Sequence, residues 1–407
     1  MEIDNLLVLS SMLTPNRYAE IKQFSVGAIS NANDTFQKAI IKGIQENIQS
    51  VKGNVFIVNA PNIGAFPFKY KKIYFKSGTF TLSTINGMDI SFCNLPLYKH
   101  SSICNSVYVE LNKIMEQANG KCFLLIYGLY WPFLDVACRL KNKYNIKTCL
   151  MVPDLPGFTG DIDHWAYKFF KLFVRKKDYS DLLRQIDSYV LLTETMKERL
   201  PIHNQKYIVV EGIIDESKME KQSYDKDFQK KIVFYSGALD QRNGVNHLLE
   251  AFKLIDNPSF RLMLCGDGDL RGDVESAAAS DSRIIYKGQL PHDEVIKLQS
   301  TATLLVNPRM PVEEFTKYSF PSKTMEYLAS GTPVLMYQLP TLPVEYFPYC
   351  YFIPNTDVFS LSKSICDICL KPTEELAKMG QNARNFILKN KTARQQVKRI
   401  INLLTNL

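Results

Sequence analysis

The sequence has no long apolar run. Its most apolar window, Cys122 to Leu134, is broken by Gly128 and Pro132 and falls short of the roughly 20 residues a spanning helix needs. A basic N-terminus is also missing. Glu2 and Asp4 stand in MEIDNLLVLSSML where a secretory signal carries Lys or Arg. The chain is therefore expected to be cytoplasmic, at most reaching the inner face of the plasma membrane. None of the five histidines has ligand spacing, so neither a metal nor another cofactor is expected. Nine cysteines in 407 residues is ordinary for a reducing compartment. The one close pair, Cys366 and Cys369, has no second CxxC and falls in a helical pattern, so it reads as two small buried residues rather than a zinc or redox site. Charge of one sign is not dominant either. Forty-nine Lys and Arg against 41 Asp and Glu leave +8, which suits a nucleotide diphosphate or a phospholipid surface and does not call for nucleic acid. There is no short-period repeat.

What is present is an ordinary globular composition, 46% hydrophobic and 22% charged, long enough for two or three domains at about 150 residues each. Near-continuous apolar runs recur: 6–11, 54–59, 123–128, 146–152 and 189–193, then 231–237, 261–266, 283–288, 302–308 and 332–337. Such runs mark strands buried on both faces. Helical patterns separate them, as at 34–49, 244–255 and 322–330. Strands alternating with helices imply parallel α/β sheets. The polar stretch 215–230 divides two sets of these units. We expect two Rossmann-like, doubly wound domains, 1–212 and 213–385, facing a cleft. A C-terminal helix, 386–407, should cross back to the first domain.

The most informative stretch is 307–337. Pro321 suits the first turn of a helix, Gly331 suits its end and Pro333 starts the return to a strand. Lys323 and Glu326, three apart, project from one face. The helix start attracts a diphosphate, Lys323 adds a charge there, and Glu326 can accept from two sugar hydroxyls. A surface Lys–Glu pair is the alternative. In the first half, the loop Ser25 to Asp34 is read as following the first strand, with Gly27 permitting close approach to a phosphate and Asn33 or Asp34 capping the next helix. MVPDLPGF places Asp154 at the carboxyl end of a strand, where it can orient an acceptor hydroxyl or take its proton; capping a turn is the alternative. Asp161 and Asp163 lie close together, but outside the donor half, and are not read as metal ligands. The segment 164–177 mixes Trp165 and three phenylalanines with Lys and Arg. It reads either as a peripheral membrane contact or as a core helix with a solvated basic end.

FPSKTMEYLASGTPVL resembles the donor-site helix of retaining glycosyltransferase family 4, whose members share the GT-B fold. The resemblance runs over about residues 231–355 and weakly through the first half. It implies that Glu326 holds the nucleotide ribose as the second Glu of a Glu-x7-Glu pattern; Tyr318 stands at the first. FPSK preceded by NPR is similar to a bacterial subgroup of capsule or exopolysaccharide assembly. There Arg309, Tyr318, Ser319 and Lys323 form the local replacement set. In the segment that begins at Gly237, family members carry an Arg and a Lys on the diphosphate. This chain has Ala238 and Asn243, leaving Arg242 as a substitute cation or a plain exposed turn residue. CGDGDL matches a structural glycine turn. YKGQL matches the loop that reads the base, making Lys287, Gly288 and Gln289 base-pocket candidates.

The resemblance implies a hexosyltransferase. Its donor would be a nucleoside-diphosphate sugar and its acceptor a glycan or lipid-linked envelope or exopolysaccharide precursor, with retention and without metal. A non-catalytic GT-B partner subunit that stabilises an active transferase is the competing class. A GT-B epimerase is a third, which FPSK fits less well.

Overall fold

The computed structural model describes residues 3–26, 31–155, 179–216, 230–312 and 314–407. The chain forms two compact units, Met1–Ile213 with Ala393–Leu407, and Ile214–Thr392.

The first unit contains β1 (Asn5–Ser10), β2 (Val55–Asn59), β3 (Tyr74–Phe75), β4 (Gly78–Leu82), β5 (Ile85–Asp89), β6 (Phe92–Cys93), β7 (Cys122–Tyr127), β8 (Lys147–Val152), β9 (Ser188–Leu191) and β10 (Lys206–Val209). Eight of these make one sheet in the order β10-β9-β8-β7-β1-β2-β5-β4, and β3 pairs only with β6. Every neighbour in the large sheet is parallel except the β4–β5 hairpin. All residues of β1 and β7 are buried, as continuous apolar runs require of central parallel strands.

The second unit contains β11 (Lys231–Ser236), β12 (Phe260–Cys265), β13 (Ile284–Tyr286), β14 (Leu304–Asn307), β15 (Val334–Met336) and β16 (Tyr351–Phe352). Their order is β13-β12-β11-β14-β15-β16, parallel throughout. This is the 3-2-1-4-5-6 order of dinucleotide-binding sheets, and it reverses between β11 and β14. A ligand crevice belongs just beyond the carboxyl ends of those two strands.

One boundary differs from the expected one. Residues 386–390 do not start a separate C-terminal helix; they finish the helix Thr373–Asn390, whose Ala383 and Ile387 enter the core of the second unit with Leu328 and Ala329. The last helix, Ala393–Thr405, belongs to the first unit. It packs against the helix Asn31–Glu46, where Gly43 permits the approach: a Cβ there would sit 2.4 Å from the Ala393 carbonyl oxygen. Among the described residues, no helix is long and apolar enough to cross a membrane.

Candidate functional site

The helix Ser322–Ala329 starts directly after Pro321, as the proline suggests. It buries Thr324, Met325, Tyr327 and Leu328, which leaves Lys323 and Glu326 on its more open side. Tyr327 anchors the helix to the end of β11, its hydroxyl accepting from Ser236 N at 2.9 Å. Lys323 then reaches back over Gly237. Its Nζ donates to the Tyr235 hydroxyl at 2.8 Å, and that hydroxyl donates to the Ala238 carbonyl at 2.7 Å. Gly237, at φ +140°, makes the room: a Cβ there would lie 2.0 Å from Lys323 Nζ.

Arg309, just past the end of β14, is buried. Burial lowers its guanidinium to about 10, while Asp240 raises it and Arg242 lowers it further. Lys323 is pushed down to about 8, chiefly by burial, with Asp240 and Glu326 opposing and Arg309 adding to the shift. Three cations and two carboxylates, Asp240 and Glu326, therefore meet at the switch point between β11 and β14. Asp240 is already engaged by Asn243, whose backbone N and Nδ2 donate to its Oδ1 at 2.7 and 2.8 Å. Arg309 and its two neighbouring cations repel one another, and a dianionic pyrophosphate relieves that repulsion. Arg309 and Lys323 bring cationic charge from other segments to the neighbourhood of Ala238 and Asn243, which carry none.

Glu326 faces the same side one turn on. Gln299, fully buried in the helix His292–Thr301, donates from Nε2 to Glu326 Oε1 at 2.5 Å and to Ser236 Oγ at 3.3 Å. His292 Nε2 lies 3.6 Å from Glu326 Oε2. Sequence reasoning missed both residues. Their spacing of seven residues, or two turns, puts them on one helix face, which points to a site only once Glu326 is placed beside them. Lys287, Gly288 and Gln289 follow β13, and the Gly288 carbonyl accepts from Gly266 N at 2.9 Å. That bond ties this loop to the glycine turn after β12. Tyr318 is buried and brings no carboxylate to the position where the resemblance has one. Ser319 is half-buried, and its carbonyl accepts from Thr341 Oγ1 at 3.3 Å.

Residues 216–386 match the family model described as glycosyl transferases group 1. The second unit carries a group 1 glycosyltransferase domain. No curated protein matches the chain. Among solved structures, the chain is similar to a glycosyltransferase from Rickettsia africae, at 13% identity over 100% of this chain and 99% of that one, with a TM-score of 0.65. It is also similar to sucrose-phosphate synthase from Thermosynechococcus elongatus, at 14% identity over 99% and 98%, TM-score 0.60. Anabaena HepE in complex with UDP and glucose gives 14% identity over 99% and 100%, TM-score 0.60. The two parallel-sheet, Rossmann-like units match those of GT-B glycosyltransferase structures.

Next to the group 1 domain in sequence, the first unit has its own polar cluster at the carboxyl ends of β1, β7 and β8. Asp154 is exposed; desolvation by the protein around it raises its carboxyl, while a hydrogen bond with Asn33 opposes the rise. The Tyr127 hydroxyl donates to Asn33 Oδ1 at 3.2 Å. Two expectations for this region are corrected. The loop at Ser25 does not follow β1 directly, because the helix Pro15–Phe24 intervenes; it buries only Ile21 and so left no apolar pattern to read. Asp34 caps no helix. It lies inside Asn31–Glu46 and accepts from Leu13 N at 2.7 Å and from Lys38 Nζ at 2.6 Å. Gly27, Asp161, Asp163 and the segment 164–177 lie outside the described residues.

Proposed function

We propose that the chain transfers a hexosyl group from a nucleoside-diphosphate sugar to a cell-envelope or exopolysaccharide acceptor, carried on a lipid, with retention at the anomeric carbon and without a metal. The convergence of Lys323, Arg309 and Arg242 at the switch point of the group 1 domain is the observation that carries this reading. Such a cluster stabilises a departing diphosphate, a contribution of roughly 3–4 kcal/mol where a single preorganised donor has been removed from comparable sites. In this reading the ribose hydroxyls bind Glu326, held in place by Gln299. The base lies against Lys287, Gly288 and Gln289, and Tyr318, Ser319 and Gly237 complete the donor pocket. Asp154 orients the acceptor hydroxyl and accepts its proton. The reaction belongs on the cytoplasmic side, at the inner membrane face.

The test is calorimetry with a panel of nucleoside diphosphates, followed by a donor screen read as a mass shift on a lipid-linked acceptor. Nucleotide binding followed by a hexose-sized mass gain is the expected result. A second reading, a non-catalytic GT-B partner of an active transferase, draws support from exposed Ala238, from Asn243 committed to Asp240 and from buried Tyr318. It predicts nucleotide binding or none, and no turnover of any donor.

A further inference from the structure

From Ala60 to Val109 the chain has five lysines (69, 71, 72, 76 and 99), no arginine and a single acid, Asp89. That acid is not available to balance them. It is buried, accepting from Thr14 Oγ1 at 2.8 Å and from Asn59 Nδ2 at 2.7 Å. Lys72 is paired with Glu20 at 2.8 Å, and Lys99 donates to the Ile63 carbonyl. Lys71 and Lys76 are exposed, and among the described residues neither forms an ion pair.

The same surface exposes large apolar side chains. Tyr74 is 54% exposed and Ile73 46%, while Leu97 and Tyr98 are 66% and 67% exposed. They lie on adjoining backbone. Tyr74 pairs with Cys93, Asn94 N donates to the Ile73 carbonyl at 2.5 Å, and Tyr98 N closes a turn onto Leu95. Inside, Phe75 stacks on Phe92 with centroids 5.2 Å apart, which fixes the alternation and turns Tyr74 outward.

We propose that this face, Lys71 to Lys76 with Leu97 and Tyr98, docks the first unit on an anionic phospholipid surface. Lysines beside exposed aliphatic and aromatic side chains match a headgroup region above an acyl boundary. A nucleic-acid surface calls instead for the free bidentate fork of arginine; Arg17, which lies against Phe75 here, spends its fork on Glu20 and on the Lys76 and Ser77 carbonyls. The inference rests on the proposed function only in its biological sense, since a lipid-borne acceptor would give the contact a purpose; the docking itself is tested separately.

The experiment is co-sedimentation of the full chain with phosphatidylglycerol or phosphatidylcholine vesicles, at low and high salt. Wild type, the double variant Lys71→Glu/Lys76→Glu and the double variant Leu97→Ser/Tyr98→Ser are compared, each checked for an unchanged melting temperature and nucleotide affinity. Wild type should pellet with phosphatidylglycerol and stay in solution with phosphatidylcholine. Charge reversal should weaken the binding at least tenfold, and the serine variant should lose what survives high salt. Wild type remaining in solution with phosphatidylglycerol would overturn the proposal. So would equal binding by both variants, which would place any membrane contact elsewhere, or displacement of the vesicles by a single-stranded oligonucleotide. Because nucleotide affinity is measured on the same samples, a failed donor site and a failed docking face give different results.

Discussion

Replacing Lys323 by Met is expected to make the protein more stable and a poorer nucleotide binder. Burial brings the ammonium from its ordinary 10.5 to about 8. A gap of 2.5 units at 1.36 kcal/mol each is about 3 kcal/mol, an upper bound because a half-buried ammonium retains some water. The sign follows from proton counting. Between pH 8 and 10.5 the unfolded chain holds the lysine proton and the folded chain has lost it, so wild-type stability rises with pH over that window. The penalty is fully present below pH 8, and there Lys323→Met should exceed wild type in denaturant midpoint; the two should converge towards pH 10.5. The Tyr235 hydroxyl keeps its bond to the Ala238 carbonyl in the variant, so no polar group is orphaned. A bound diphosphate restores the lysine's proton affinity. Wild-type affinity for a nucleoside diphosphate should therefore fall as pH rises above 8, whereas the variant should bind about 10- to 100-fold more weakly at pH 7, the worth of a charged hydrogen bond, with little further change above pH 8. Calorimetry and urea unfolding across pH 7–9.5 read both effects. A variant that is less stable than wild type at pH 7, or that binds nucleotide equally well, would refute the reasoning.

Four further outcomes are expected. Glu326→Ala should weaken nucleotide binding by about 1–3 kcal/mol in calorimetry and lower stability as well, since it strands the buried Gln299 donor. Gly237→Ala should displace Lys323 from its seat, because the new Cβ would lie 2.0 Å from Nζ, and should strain the backbone at φ +140°; the readouts are a rise in nucleotide Kd in calorimetry and a fall in melting temperature. Asp154→Asn should reduce transfer by about 100-fold or more if the carboxylate accepts the acceptor proton, while leaving nucleotide Kd unchanged. In the β4–β5 hairpin, Ser83 and Thr84 both have positive φ, +50° and +66°, a turn that favours Asn-Gly; Ser83→Asn with Thr84→Gly should raise stability by about 1 kcal/mol or more in denaturant unfolding.

Most of the ten strands read from the sequence are buried on both faces, where the signal is simply a continuous apolar run; β13, at the edge of its sheet, buries only Ile284. The β4–β5 hairpin escaped because GTFTL and INGMD carry polar residues and meet through a Ser-Thr turn with no glycine. Within the candidate site, the helix Ser322–Ala329 was legible because Pro321 marks its start and Lys323 and Glu326 are neighbours on one face. Arg309 and Arg242 were legible only as unassigned cations near the right segments. Gln299, Tyr235 and Asp240 were not legible, since each meets Lys323 or Glu326 across 27 to 88 positions of chain, a proximity set by strand order rather than local spacing. His292 needed the three-dimensional placement of Glu326 before its two-turn spacing from Gln299 meant anything.

The most direct test is a structure of the protein with a nucleoside diphosphate bound. The account predicts pyrophosphate oxygens within hydrogen-bonding distance of Lys323 Nζ, above Gly237 and at the start of the helix Ser322–Ala329, with the ribose hydroxyls on the Glu326 carboxylate. A nucleotide bound away from the carboxyl ends of β11 and β14, or one whose ribose leaves Glu326 in contact only with Gln299 and His292, would contradict it.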